Sequence, residues 1–283
     1  MDIEALKSFL AFVETGSFTR TATQMHKTQS AISMQMKKLQ QDIGQQLFVK
    51  EGRQLHLTSE GMALVGYAKK IVQLQQSALT NLASATPKTL LQLGCPDDYA
   101  ESVLPTLIEL LHHNVEHLDL QVTCASSPQL LSQLDQGLLD LAIVTRSANS
   151  EQGYLLCQDH GVWVGANQAN LLEQSTLPLA VFQKECRFHQ AAIEGLMKQN
   201  QAFSVIACSG SASALRGLVK QDLAISAMAN LSRNALPVLK DPRLPPLPSI
   251  EIALVKHSGS SAVVSQSQVE QICQQFQYRF STQ

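Results

Sequence analysis

The sequence predicts an α plus α/β protein: a helical front, one long connecting helix, and a two-lobed α/β back. Three observations predict it. Residues 3–43 carry apolar side chains at helical spacing in three short stretches. Residues 59–85 carry them at alternating steps of three and four, and beyond residue 88 short apolar runs alternate with amphipathic ones. At 283 residues, with 45% hydrophobic and 16% charged side chains, the chain has material for two or three globular domains.

From Ile3 to about Glu14 the positions Leu6, Phe9, Leu10 and Val13 form one apolar stripe, and Gly16 closes the helix. Ser17 and Thr19 are candidate caps for a second helix that carries Phe18, Ala22 and Met25 inward. A break at His26 and Lys27 leads to Thr28–Gly44, TQSAISMQMKKLQQDIG, in which Ile32, Met36, Leu39 and Ile43 face a core. Its other face opens with Thr28, Gln29, Ser30 and Ser33 and continues into Lys37 and Lys38. Short hydrogen-bonding side chains at a helix start can reach base edges in a major groove, while lysines and the helix N-terminus hold phosphates. Alone, this stretch also reads as an ordinary amphipathic helix. As the third of three short helices behind a tight turn, it completes a helix-turn-helix.

Leu47–Lys50 and Gln54–Thr58 flank the turn Glu51-Gly52-Arg53, and Leu55 and Leu57 alternate with polar neighbours. This is a two-stranded hairpin, a wing, with Arg53 beside its tip and able to enter a narrow minor groove. Thr58 then caps a helix running to about Ala85, roughly a 40 Å rod at about 1.5 Å per residue. Val65, Ala68, Val72, Gln75, Leu79 and Leu82 make a heptad seam along it. The seam either pairs two chains or packs on the chain's own back. A pair of chains sets two recognition helices on successive major-groove faces, so a roughly two-fold operator is expected.

The net charge of −2 hides an asymmetry. Residues 1–89 hold ten Lys and Arg against six Asp and Glu, and the remainder eleven against seventeen. Only the front is suited to a polyanion. The six cysteines, 95, 124, 157, 186, 208 and 273, are dispersed without a C-x-x-C, so neither a zinc site nor a disulfide scaffold is expected. No apolar run reaches membrane length and no signal pattern opens the chain, which reads as cytoplasmic. Eight scattered histidines and the absence of G-x-S-x-G or H-E-x-x-H argue against catalysis, so no catalytic residue, metal or cofactor is expected.

The wording FLAFVETGSFTRTATQMHKTQSAISMQMKKLQQDIGQQLFVKEGRQLHLTSEG resembles the winged helix-turn-helix of LysR-type transcriptional regulators. The resemblance implies groove-facing Thr28, Gln29, Ser30 and Ser33, a phosphate contact at Lys37 and a wing contact at Arg53. Two positions depart from the commonest pattern. Met34 stands where many relatives carry Arg or Gln, and Lys50 where Arg is usual, which keeps the charge but loses the bidentate fork. Relatives usually assemble as homodimers paired into homotetramers.

Ser84–Lys88 breaks the pattern and sets the domain boundary, giving a winged helix-turn-helix at 1–58, a linker helix at 59–88 and an effector domain at 89–283. Strands are expected at 90–94, 118–124, 139–144, 162–164, 179–182, 203–208, 223–227 and 250–255. Helices are expected at 104–113, 129–136, 191–198, 212–219 and 265–280. The pattern reads as two consecutive α/β units, each with a mostly parallel sheet. In such sheets ligands lie beyond the carboxyl ends of the strands. That rule selects Cys95, Pro96, Asp97 and Asp98, then Ser126 and Ser127, Thr145 and Arg146, and Ser209 to Ser211 with Gly210 between. Ser and Gly at helix starts cradle anions and Arg146 could pair with one, yet Asp97, Asp98 and Ser127 also suit plain N-caps. Asp97-Asp98 at a pocket mouth would repel an anion, which leaves the charge of the ligand open.

The back likewise resembles the effector domain of LysR-type regulators, similar in fold to type 2 periplasmic binding proteins. The resemblance implies lobes at about 89–163 plus 256–283 and 164–255, hinged by crossover strands near 162–165 and 250–255. GCPDDYAESVLP, GLLDLAIV and RLPPLPSIEIAL resemble the branch containing the LrhA and HexA regulators. The expected function is a sequence-specific transcriptional regulator of double-stranded DNA, modulated by a small effector between the lobes. The alternatives are a regulator of the same fold that senses oxidation through Cys95, Cys124 or Cys208, and a solute-binding protein.

Overall fold

A computed structural model describes residues 1–52, 54–83, 88–146, 150–166, 171–257 and 263–281. The chain forms two compact units, Met1–Lys88 and, from Thr89 onward, residues 89–135 with 139–283.

In the first unit α1 (Ile3–Thr15), α2 (Phe18–Gln24) and α3 (Gln29–Ile43) precede a hairpin of β1 (Phe48–Glu51) and β2 (Gln54–Leu57), then α4 (Ser59–Ala83). Gly16 and Gly44 end α1 and α3 with φ of 66° and 74°, the left-handed conformation that lets the chain leave a helix. Leu6, Phe9, Ile32, Met36 and Leu39 are fully buried together. Val13, expected inside, is 37% exposed, and Phe12, 2% exposed, takes its place. The reason is aromatic. Phe48 of the hairpin meets Phe12 at 5.0 Å, Phe18 at 5.4 Å and Phe9 at 5.9 Å, so the wing is seated on α1 and α2 by one side chain. The hairpin register pairs Phe48 with Leu57 and Glu51 with Gln54.

The start of α4 is fastened as the TSEG wording implies. The Thr58 hydroxyl donates to the Gln46 carbonyl (2.7 Å) and accepts from the Gly61 N–H (3.0 Å). A Cβ on Gly61 would meet the Leu47 carbonyl oxygen at 2.3 Å, so only glycine lets the helix approach the hairpin this closely. The seam expectation needs correction at its near end. Ala68 is fully buried in the core of its own unit, with Val65 and Val72 packed on that core, because α4 lies along α1. Further on, Leu79 and Leu82 are 54% and 86% exposed. The boundary residues 84–87 lie outside the described residues.

The second unit runs β3 (Thr89–Cys95), a 3-10 turn (Asp97–Tyr99), α5 (Leu104–Asn114), β4 (Leu118–Cys124), α6 (Ser127–Asp135), β5 (Leu141–Arg146) and β6 (Tyr154–Val164). It continues with β7 (Leu177–Val181), α7 (Arg187–Lys198), β8 (Phe203–Cys208), α8 (Ala212–Lys220), β9 (Ser226–Ala229), a second 3-10 turn (Asn230–Ser232), β10 (Ser249–Lys256) and α9 (Gln266–Ser281). The expectation of two separate parallel sheets is only partly met. One six-stranded sheet has the order β4-β3-β5-β10-β6-β9, and β7 pairs with β8 in a two-stranded sheet. β3 is parallel to β4 and β5, and β7 to β8, whereas β10 is antiparallel to both β5 and β6. The reason is connectivity. β6 leaves the first lobe as β10 returns to it, so the two crossovers run in opposite directions and pair with each other. β6 also starts at Tyr154, eight residues before the expected strand.

Candidate DNA-binding face and effector cavity

Thr28 is the N-cap of α3, its hydroxyl accepting from the Ala31 N–H (3.2 Å) and lying 3.1 Å from the Ser30 hydroxyl. Gln29, Ser30, Met34, Lys37 and Lys38 are exposed and Ser33 is half-buried, so the expected groove face is open along the helix. Lys27, before the helix, is drawn elsewhere, to Glu4 (3.6 Å) and to the side-chain amide oxygen of Gln35 (3.4 Å). Among the described residues Arg20, Lys37, Lys38 and Lys50 enter no ion pair. Cations left unpaired beside a polar helix face are what phosphate binding requires. Arg53 lies outside the described residues.

The second unit holds a cavity of about 680 Å³ lined from both lobes. Pro96, Asp97, Asp98, Ser126, Ser127, Thr145 and Gly210 all line it, as the strand-end rule implied. Cys95, Arg146 and Ser209 do not. Successive residues of a strand face opposite ways, so Thr145 meets the cavity and Arg146 turns from it. Arg146 instead pairs with its cross-strand neighbour Glu251 (Nε to Oε2, 2.9 Å) and donates to the Gln152 and Gly153 carbonyls. Cys95 is fully buried, its thiol donating to the Pro96 carbonyl (3.2 Å). The Ser209 hydroxyl accepts from the Ser211 N–H (3.1 Å) and braces the turn from behind.

The cavity wall that sequence reasoning missed is 182–190, from the end of β7 into α7, with Phe182, Gln183, Glu185, Cys186, Arg187, Phe188 and Gln190. Gln129 and Leu131 were missed as well, whereas Ser211, selected with its turn, and Cys124 do line the cavity. The signal was available: 182–187 follows the carboxyl end of a strand, as the selected loops do.

Two groups, one beside the cavity and one in its lining, are shaped by burial. Tyr99, fully buried, shares a 2.8 Å hydrogen bond with the Thr145 hydroxyl, and burial holds its phenol well above the usual range. Asp98 is half-buried. Loss of water pushes its carboxyl up to about 7, helped by the negative charges of Asp97 and Asp159 and opposed by its own backbone N–H.

Several bonds tie the lobes across the cleft. The Asp97 carboxylate accepts from the Ala212 N–H at the start of α8 (2.6 Å), and the Ser232 hydroxyl donates to the Asp98 carbonyl (2.8 Å). Arg216, buried in α8, pairs with Glu101 and donates to the Ser232 carbonyl (2.9 Å). Cys208 is exposed and its thiol donates to the Phe182 carbonyl (3.4 Å), while thiol sensing finds no support at Cys95 or Cys124. Burial raises the Cys95 thiol far above its ordinary value, and burial with the Asp97 charge raises Cys124, so neither is held as a reactive thiolate.

A helix-turn-helix with free cations, followed by a two-lobed domain around a cavity, defines a DNA-binding regulator with an effector domain. Residues 3–62 match the family described as bacterial regulatory helix-turn-helix protein, lysR family, and residues 84–274 match the LysR substrate binding domain. The chain belongs to the LysR family of transcriptional regulators. It is similar to the HTH-type transcriptional regulator DgdR of Burkholderia cepacia, 31% identical over 90% of this chain and 87% of that protein. It is also similar to PecT of Dickeya dadantii, 30% identical over 69% of this chain and 62% of that protein. In fold it resembles full-length CbnR crystallised with its target DNA, with a TM-score of 0.67 at 16% identity over 98% of this chain and all of that one. These matches do not establish the narrower LrhA and HexA branch. No helix among the described residues is long and apolar enough to cross a membrane.

Proposed function

We propose that this regulator binds a two-fold operator as a homodimer, paired into a homotetramer, and that a small effector in the interlobe cavity sets the spacing of its DNA-binding heads. The observation that carries the reading is the cavity itself, walled by both lobes and crossed by a few polar bonds. A ligand that fits one lobe arrangement better than the other shifts the equilibrium between them.

On the DNA side Gln29, Ser30 and Ser33 reach base edges, Thr28 orders the helix start, Lys37 and Lys50 hold phosphates, and Arg53 enters the minor groove. Met34 offers only apolar contact there. Residues 1–58 form the head, 59–88 the linker and 89–283 the effector domain. Leu79 and Leu82, exposed on α4, join two chains. The protein acts in the cytoplasm and performs no chemistry on its ligand.

The test is unbiased. Purified protein is mixed with fragmented host DNA and the retained fragments are sequenced. Inverted repeats with half-sites about one turn apart are expected. Absence of enrichment with folded protein, with and without host metabolite extract, would overturn the reading. Leu79→Glu should dissociate the dimer in light scattering, and an unchanged mass would remove the α4 interface.

A further inference from the structure

Helix N-termini are where cleft-binding proteins ordinarily hold anionic ligands, because the first N–H groups are unpaired. Three helices of the second unit begin at this cavity, and at two of them, α6 and α8, the chain supplies its own partners. At α6 the Ser126 N–H and hydroxyl both donate to the side-chain amide oxygen of Gln129 (3.1 and 3.0 Å), and the Ser127 hydroxyl accepts from the Thr145 N–H (2.9 Å). At α8 the Ala212 N–H is held by Asp97 and the Ala214 N–H by the Ser211 hydroxyl. At α7 no side chain caps the start, whose first residue is Arg187.

The ionisable groups left to meet a ligand are of the other sign. The lining contains Asp97, Asp98 and Glu185 against Arg187 alone. Asp97 is spent on α8, and Glu185 and Arg187 are exposed side chains of the 182–190 wall. Asp98 remains. Among the described residues no cation lies within 4 Å of it; its charged and titratable neighbours are Asp97, Asp159, Cys95, Tyr99 and Cys186. A half-buried carboxyl without a counter-charge is costly to ionise and is stabilised by any cation that reaches it. The rest of the wall, Pro96, Ala125, Leu131, Phe182 and Phe188, suits a small apolar body.

We propose that the cavity takes a small ligand carrying a protonated primary amine, whose ammonium group pairs with the Asp98 carboxylate. The inference rests on the cavity being the effector site. The amine recruits Asp98 into its ionised form on binding, so the ligand supplies the positive charge that the lobes leave out.

The full-length protein is titrated calorimetrically with butylamine, benzylamine and alaninamide, each beside its uncharged or anionic counterpart (butanol and butyrate, benzyl alcohol and benzoate, and propanamide). At least one amine is expected to bind, at least tenfold more tightly than its counterparts. That affinity should fall about tenfold per pH unit below about 7, where Asp98 takes up a proton, and level off above it. Asp98→Asn should weaken the amine at least tenfold; because that variant could misfold, the pH profile of the unaltered protein is an independent reading. Binding of butyrate or benzoate with the amines silent would overturn the ammonium assignment and leave the effector site standing. Silence of every class would overturn both, and amine binding that ignores pH between 5 and 8 would remove Asp98 from the site.

Discussion

The two units treat charge in opposite ways. The head keeps Lys37, Lys38 and Lys50 exposed and unpaired on an open surface, where a polyanion can collect them one by one. The effector unit hides a carboxyl in a cleft and meets two of its cleft-side helix starts, those of α6 and α8, with its own side chains. The first arrangement suits a long, repetitive partner whose affinity is a sum of many weak contacts. The second suits a partner small enough to be enclosed, for which one compensated charge decides binding.

The strongest way to break this comparison is to unfold one side of it. Phe9 is fully buried beside Phe48, and Phe9→Ala should cost the head about 3–5 kcal/mol. Calorimetry should show the head transition lowered or lost, with DNA binding abolished and the effector unit unmoved; joint loss of both transitions would mean that the units fold as one. Next in size is Arg216→Met, which removes a buried guanidinium from Glu101 and the Ser232 carbonyl. Glu101 is exposed, so the cost is expected near 1–3 kcal/mol, read as a lower urea midpoint, and an unchanged midpoint would show that this tie does not hold the lobes.

A third prediction uses pH. The folded-state pKa of Asp98 lies above its unfolded value, so protonation favours the fold: its contribution is complete below about 4 and disappears as pH rises through about 7. Ligand-free protein should therefore gain up to about 1.4 kcal/mol per unit from this group as pH falls between those limits. Asp98→Asn should remove that slope from paired denaturant curves, and parallel curves would contradict the buried carboxyl. The smallest effect sharpens the other side. Lys37→Ala should weaken DNA binding by about 1 kcal/mol and lower the slope of log K against log salt by about 0.9. An unchanged slope would take Lys37 off the phosphate backbone.

The head was legible because its elements are local. Helical spacing, Gly16, Gly44 and the Gly52 turn each speak for a few neighbouring residues, and the structure follows them except at Val13 and Phe12. There, two apolar residues compete for one face, and the winner is chosen by Phe48, thirty-six positions away. Ala68 shows the same limit. Heptad spacing marks a buried face without saying whose surface buries it.

In the second unit β4 and β8 fall at the expected residues, and eight selected loop residues do line the cavity. β6 was largely missed because Gln158, Asp159 and His160 interrupt its apolar run. Asp159 is tolerated in a central strand because its carboxylate accepts from the Leu231 N–H (2.9 Å), a partner from a distant turn. Arg146 misled for a related reason. Its true partner, Glu251, is the lone charge in the apolar strand 250–255, and a buried charge of that kind demands an opposite one across the sheet. That pairing was available to reasoning from the sequence, whereas the sharing of Asp97 between lobes was not.

Asp97 also makes one lobe the keeper of the other's secondary structure. The first turn of α8 is completed by a carboxylate from the far side of the cleft, so parting the lobes strips that helix of a cap. Opening is then a local helix-fraying event as much as a hinge motion. The amide proton of Ala212 becomes its natural clock: slow to exchange with deuterium while the cleft is shut, fast each time it gapes, and slower again when a ligand holds both sides together.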